Sequence, residues 1–64
     1  MTLKDFRLSK NKTQQEMANI IGISKSAYEK YEYGDNYPSM KTLIKIKEKF
    51  PDFDIDIFLN SNHK

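Results

Sequence analysis

The chain has 64 residues, room for one small domain, and its 11 basic and 9 acidic residues leave a net charge of +2. The absence of cysteine excludes disulfides and thiolate chemistry and suits a reducing compartment. No apolar run approaches the roughly 20 residues of a membrane-spanning helix, and the polar N-terminal segment does not match a signal peptide, so we expect a cytoplasmic protein.

The first predicted helix begins at Thr2. Thr2 and Asp5, three residues apart, form an N-cap pair, and Leu3 and Phe6 share one apolar face. The helix is expected to end near Asn11, because asparagine tolerates the left-handed conformation that is common after a helix.

The second predicted helix has the clearest start in the sequence. Thr13 and Glu16 form a capping box, in which the side chain of each can accept a hydrogen bond from the other's backbone amide. Gly22 ends the helix, because glycine adopts the positive φ of a tight turn without a steric penalty. The apolar face consists of Met17, Ala18 and Ile21.

The third predicted helix is capped by Ser24 and stopped by Gly34. A helical wheel divides it into two faces. The face that should pack on the core carries Ala27, Tyr28 and Tyr31. The opposite face carries Lys25, Ser26, Glu29, Lys30 and Tyr33.

A fourth helix is predicted after Pro38, which cannot continue the preceding helix, with Ser39 as its cap. It should run to about Phe50. Its apolar positions are Met40, Leu43, Ile44, Ile46 and Phe50.

A fifth helix of one or two turns is predicted after Asp54, although the alternation of apolar and acidic residues over 53–58 also permits a short strand. Residues 61–64 are predicted to be a flexible tail, which leaves residues 1–60 as the folded domain. The packing residues of the fifth helix are expected to be Ile55, Phe58 and Leu59.

Residues 13–34 therefore predict two short helices joined by a glycine turn, with a polar outer face on the second. The major groove of DNA, about 12 Å wide, accepts one such helix and presents a different pattern of donors and acceptors at each base pair. Residues 1–34 also hold the small positive excess, with six basic and four acidic groups. The segment is predicted to be a helix-turn-helix that reads double-stranded DNA in a transcriptional regulator without enzymatic activity.

The stretch TQQEMANIIGISKSAYEKYEYG resembles the helix-turn-helix of the lambda-repressor-like regulators of the Cro and XRE type, and the resemblance continues through PSMKTLIKIKEKF and FDIDIFL. It implies an all-α, five-helix DNA-binding domain whose second and third helices form the helix-turn-helix. It also implies a homodimer that binds an operator, as a Cro-type repressor of a phage or mobile element does. No cofactor, membrane or small-molecule substrate is expected.

The resemblance also implies roles for individual residues. Arg7 and Glu32 match a structural ion pair between the first and third helices. The base-reading positions hold Lys25, Ser26 and Lys30, and Glu29 on the same face can accept from a cytosine amino group. Contacts to the DNA backbone are expected from Thr13, Gln14, Ser39 and Met40, the last two through their amides. Independently of the resemblance, Tyr33 and Tyr37 are expected to be more exposed than the other two tyrosines, and each is a candidate to donate its hydroxyl to a phosphate.

Ile57 is expected to point away from the core if the other apolar residues of the fifth helix face inward. With Phe58 it is a candidate dimer contact, and a lone exposed apolar residue is the alternative.

The fourth helix carries lysines at every fourth position, which form either a solvated face or a second DNA contact, namely Lys41, Lys45 and Lys49. The low net charge and Asp35 also fit an antirepressor or antitoxin that acts by protein–protein binding on the same fold.

A metal site is not predicted. Asp52, Asp54 and Asp56 alternate as in the opening of a calcium-binding loop. That loop needs glycine at its sixth position and glutamate at its twelfth, where this chain has Ile57 and His63.

Overall fold

The computed structural model describes residues 1–60, without the side chains of Leu59 and Asn60. The predicted flexible tail at 61–64, with His63, lies outside the described residues, as does the predicted packing of Leu59. Five helices follow one another: α1 Leu3–Ser9, α2 Gln14–Ile21, α3 Lys25–Tyr33, α4 Met40–Lys49 and α5 Asp56–Asn60. The all-α, five-helix prediction is confirmed, and the alternative of a strand over 53–58 is wrong, because Asp56 to Phe58 are helical.

The first four helices begin where the capping pattern predicts. A threonine or serine hydroxyl accepts a hydrogen bond from the amide three residues later at Thr2, Thr13, Ser24 and Ser39. At the first two caps an acidic side chain also accepts from the cap's own amide, so the capping boxes are complete. The first three helices are followed by residues of positive φ, namely Asn11, Gly22 and Gly34.

The core combines aliphatic side chains with a cluster of aromatic rings. Phe6 of α1 makes edge-to-face contacts with Phe53, at 5.0 Å between ring centroids, and with Phe50, at 5.5 Å. Such geometry is favourable because the positive ring edge meets the negative ring face. Phe53, which the sequence analysis does not assign to the core, is fully buried. The buried apolar residues are Leu3, Phe6, Met17, Ala18, Ile21, Tyr28, Leu43, Ile46, Phe53 and Phe58.

Two predicted packing positions of α4 are wrong. Met40 is 67% exposed and Ile44 is 52% exposed. A helix of ten residues that packs on one side buries a single stripe, and here the stripe passes through Leu43, Ile46 and the half-buried Phe50. Met40 and Ile44 lie beside that stripe and face solvent together.

The prediction that Ile57 points away from the core is also wrong. Ile57 is half-buried and packs against the core, and it borders a depression with Leu3 of α1 and Tyr31 of α3. Two consecutive side chains of α5, Ile57 and Phe58, therefore both pack against the rest of the protein. No helix among residues 1–60 is long and apolar enough to cross a membrane.

Candidate nucleic-acid interface

The turn between α2 and α3 is three residues long. Gly22, at φ 86°, donates its amide to the Ala18 carbonyl at 2.8 Å, and Ile23 donates to the same oxygen at 3.0 Å. The Ile23 side chain is partly buried against the core, and the Ser24 hydroxyl then caps α3. This geometry is a helix-turn-helix, in which α3 rests on α2 through its buried Tyr28 face.

The outer face of α3 carries the predicted base-reading residues. Lys25, Ser26 and Lys30 are exposed, and Glu29 is half-buried. The Lys25 ammonium lies 3.8 Å from the Glu29 carboxylate, one turn away. The structure therefore places all four residues along one side of a nine-residue helix, the arrangement that a groove-reading helix needs.

This face carries side-chain donors and acceptors of the types that complement guanine and cytosine edges. A lysine ammonium donates to guanine O6 and N7, and a carboxylate accepts from the cytosine amino group. A largely solvent-accessible ion pair such as Lys25–Glu29 contributes little to the free energy of folding. Breaking it, so that either side chain is free to bind a base edge, therefore costs little free energy.

A buried ion pair joins α1 to the C-terminal half of α3. Arg7 Nε donates to Glu32 Oε2 at 2.7 Å, and Arg7 Nη1 donates to the Lys12 carbonyl at 2.9 Å. The side chains of Arg7 and Glu32 are 10% and 3% exposed. The pair that the resemblance implies is thus in contact, and it links α3 to α1 and to the loop that precedes α2.

Gln14, which is predicted to contact the DNA backbone, also belongs to this network. Its Nε2 donates to Glu32 Oε1 at 3.0 Å. A primary amide carries two hydrogens, so the second remains for an external acceptor such as a phosphate oxygen. Sequence reasoning missed the Gln14–Glu32 contact, because a separation of 18 residues gives no local signal.

Ionisation within the network follows from burial and hydrogen bonding. Burial opposes the charge on Glu32, but the interactions with Arg7, Tyr28 and Gln14 outweigh it and hold the pKa of that carboxyl below its ordinary value. Burial also raises the pKa of the neighbouring Tyr28 hydroxyl well above its usual range. The charges of Glu32 and Arg7 act on that hydroxyl in opposite directions, since the carboxylate raises its pKa and the guanidinium lowers it.

The other predicted backbone contacts lie around the helix-turn-helix. Tyr33 is 71% exposed and Tyr37 is 51% exposed, so both hydroxyls can reach an external phosphate. The Thr13 hydroxyl accepts from the Glu16 amide and has a hydrogen to donate. The Ser39 hydroxyl accepts from the Thr42 amide and also forms a hydrogen bond with the Thr42 hydroxyl at 3.2 Å. Met40 begins α4, where its amide lies in the first turn.

The structure also bears on the predicted dimer contacts and on the lysines of α4. Phe58 is buried and Ile57 is half-buried, so their role as dimer contacts stays a prediction that the burial does not favour. Lys45, assigned above to a lysine face, has its Nζ 3.8 Å from the position that a Cβ on Gly22 would occupy. The structure therefore places one α4 lysine beside the helix-turn-helix turn. No group of metal-ligating side chains occurs in the described part of the chain.

A family model described as helix-turn-helix matches residues 3–58. The cryptic phage CTXphi transcriptional repressor RstR of Vibrio cholerae serotype O1 is 48% identical over 46 residues, which cover 72% of this chain and 41% of the relative. The SPbeta prophage-derived uncharacterized HTH-type transcriptional regulator YonR of Bacillus subtilis is 39% identical over 70 residues, with 91% and 65% covered.

The uncharacterized HTH-type transcriptional regulator YqaE of Bacillus subtilis is 44% identical over 64 residues, which cover 97% of this chain and 54% of the relative. The chain spans about half the length of these curated relatives. No solved structure gives a significant match.

Proposed function

The chain belongs to the Cro/C1-type helix-turn-helix family, and on this premise we propose that it is a sequence-specific DNA-binding transcriptional regulator, a repressor of phage or mobile-element origin. The observation that carries the proposal is the outer face of α3, where two exposed lysines, a serine and a glutamate project from a helix that α2 supports from behind. The names of the relatives, a phage repressor and a prophage-derived regulator, support the same reading.

In the proposed complex α3 lies in the major groove. Lys25, Ser26, Glu29 and Lys30 read base edges. Contacts to phosphate come from Thr13, Gln14, Tyr33, Tyr37, Ser39 and Met40. A homodimer presents two copies of α3, so the operator is a palindrome whose half-sites lie about one helical turn, roughly 34 Å, apart.

Selection of bound sequences from random double-stranded DNA tests the function. We expect an enriched palindromic motif, and an affinity for that motif that falls steeply as the salt concentration rises, because lysine–phosphate contacts release counterions. Failure to enrich any motif, or an affinity unchanged by salt, contradicts the proposal. A stoichiometric protein complex recovered in place of DNA would instead indicate an antirepressor or antitoxin.

The Lys30→Ala substitution tests the reading face. It removes a donor to a base edge without touching the core, because Lys30 is exposed. We expect the preference at one or two positions of each half-site to weaken by about 1–3 kcal/mol, while the fold is unchanged.

Lys4→Ala is the matched control, since Lys4 is an exposed lysine of α1, outside the helix-turn-helix. Repeating the selection with both variants separates loss of readout from loss of charge. Equal loss of base preference in the two variants would show that Lys30 does not read bases.

A further inference from the structure

The outer face of α4 is apolar in the N-terminal half of the helix. Met40 and Ile44, one turn apart, are 67% and 52% exposed. Lys41 and Glu48 lie on the same side, at spacings of three and four residues from Ile44, and both are exposed. We call these four residues the α4 outer face. Single exposed apolar residues are ordinary, but an adjacent pair bounded by opposite charges has the composition of a small interface.

Lys41 and Glu48 each lie at the end of α4 where the helix dipole disfavours their charge. Lys41 lies in the first turn of α4 and Glu48 in the last, whereas the helix dipole favours acidic residues at the start and basic residues at the end. Neither side chain forms an ion pair within residues 1–60. A second α4 that runs antiparallel would place a glutamate beside each lysine.

We infer that the α4 outer face binds the same face of a second copy of this chain, with the two α4 helices antiparallel about a two-fold axis beside Ile44. A two-fold contact is self-complementary, so residue i meets j and j meets i. Ile44 then packs on its own counterpart. Lys41 meets Glu48 of the second copy, and the symmetry-related pair forms at the other end of the contact, beyond the two-fold axis.

Met40 completes the contact. The same symmetry sets it against the aliphatic stem of Lys47 of the second copy. In each chain the Lys47 ammonium donates to the Phe53 carbonyl at 2.7 Å, which holds that side chain along the surface of its own molecule. Its stem can cover a neighbouring apolar group while the charge stays satisfied.

The contact area is small, so the association is weak. Two apolar side chains per copy fall well short of the roughly 800 Å² that each partner contributes to a standard interface, and we expect a dissociation constant between about 1 µM and 1 mM. The inference deepens the proposed dimeric function, on which it rests for its biological setting. The face contains none of the predicted base-reading residues. Met40 is also a proposed phosphate contact, but through its backbone amide, so its side chain is left for the second copy.

Sedimentation of the full chain without DNA, at concentrations up to about 1 mM, tests the apolar part of the face. The wild type should show a monomer–dimer equilibrium, and Ile44→Asp should raise the dissociation constant at least about tenfold by burying a charge. Leu8→Asp is the matched control, because Leu8 of α1 is 51% exposed, and it should stay within about twofold of the wild type. Equal loss in both variants, or no loss in Ile44→Asp, overturns the inference.

Charge reversal tests the antiparallel arrangement. Lys41→Glu and Glu48→Lys should each weaken dimerisation by about fivefold, because like charges then face each other, and the double variant should return to within about twofold of the wild type. Both substitutions suit the dipole of α4, so each variant should fold, which circular dichroism checks. Losses that add in the double variant overturn the pairing.

These experiments distinguish failure of the α4 contact from failure of the proposed DNA-binding function. A wild type that stays monomeric at about 1 mM but binds a selected palindrome overturns the α4 face and leaves the DNA-binding function intact. Self-association that Ile44→Asp abolishes, in a protein that enriches no DNA motif, supports the face and contradicts the DNA-binding function.

Discussion

The Glu32 carboxylate connects three parts of the helix-turn-helix scaffold, because it lies on α3 and accepts hydrogen bonds from Arg7 of α1 and Gln14 of α2. Glu32→Gln keeps the shape of the side chain but leaves the buried Arg7 guanidinium without a countercharge. We expect a loss of about 3 kcal/mol in the free energy of unfolding, measured by urea denaturation. That loss is a large fraction of the stability of a domain this small.

Glu29→Gln provides the control at the residue scale. Glu29 is also on α3, but it is only half-buried and its lysine partner lies 3.8 Å away. An exposed pair of this kind contributes less than about 1 kcal/mol. If the two variants lose the same stability, the Arg7–Glu32 pair does not hold α3 in place.

At the scale of elements, the turn between α2 and α3 depends on the backbone conformation of Gly22. Its φ is 86°, and a Cβ added there would lie 3.8 Å from Lys45 Nζ, an ordinary contact. The cost of Gly22→Ala is therefore backbone strain, and we expect a loss of about 1–2 kcal/mol in the free energy of unfolding.

Gly34→Ala is the matched variant for that measurement. Gly34 ends α3 at φ 85°, and nothing lies within 4 Å of an added Cβ. If backbone strain is the whole cost, urea denaturation should show similar losses in the free energy of unfolding for both variants. A much larger loss at Gly22 would show that crowding against Lys45, and not the backbone, controls the turn.

The boundaries of the elements could be predicted from the sequence because caps and glycine turns are local signals. Thr13 with Glu16 and the stop at Gly22 define α2 without reference to the rest of the chain. The exposure of Ile44 and the burial of Phe53 could not be predicted in this way. Both depend on which neighbouring helix covers a given stripe, and no spacing within the element encodes that.

In the candidate site, too, features of a single helix could be predicted from the sequence, whereas contacts between helices could not. The outer face of α3 could be predicted from helical periodicity, since its exposed residues recur along one side of a single helix. The link between Gln14 and Glu32 depends on how α2 packs on α3, which requires the folded structure. Gln14, which the resemblance assigns to a DNA contact, therefore also belongs to the internal hydrogen-bond network.

For the whole molecule, the carboxyl groups determine how stability depends on pH. The hydrogen bond from the Thr2 amide lowers the pKa of Asp5, and that from the Thr13 amide lowers the pKa of Glu16. For Glu32, burial acts in the opposite direction but is outweighed, and its pKa is also lowered. A carboxyl whose pKa is lower in the folded state stabilises the fold when it is ionised.

This sign fixes the pH range in which the protein should lose stability. The ordinary values are 3.8 for Asp5 and 4.5 for Glu32, so the stabilisation is complete above about pH 5 and is lost as the pH falls through the lower folded values. We expect the midpoint of thermal unfolding to change little between about pH 7 and 5 and to fall below about pH 4.5. In Glu32→Gln the fall should be smaller, because one of the titrating groups is gone. A midpoint that is unchanged or rises on acidification to about pH 3 would show that these carboxylates do not stabilise the folded state.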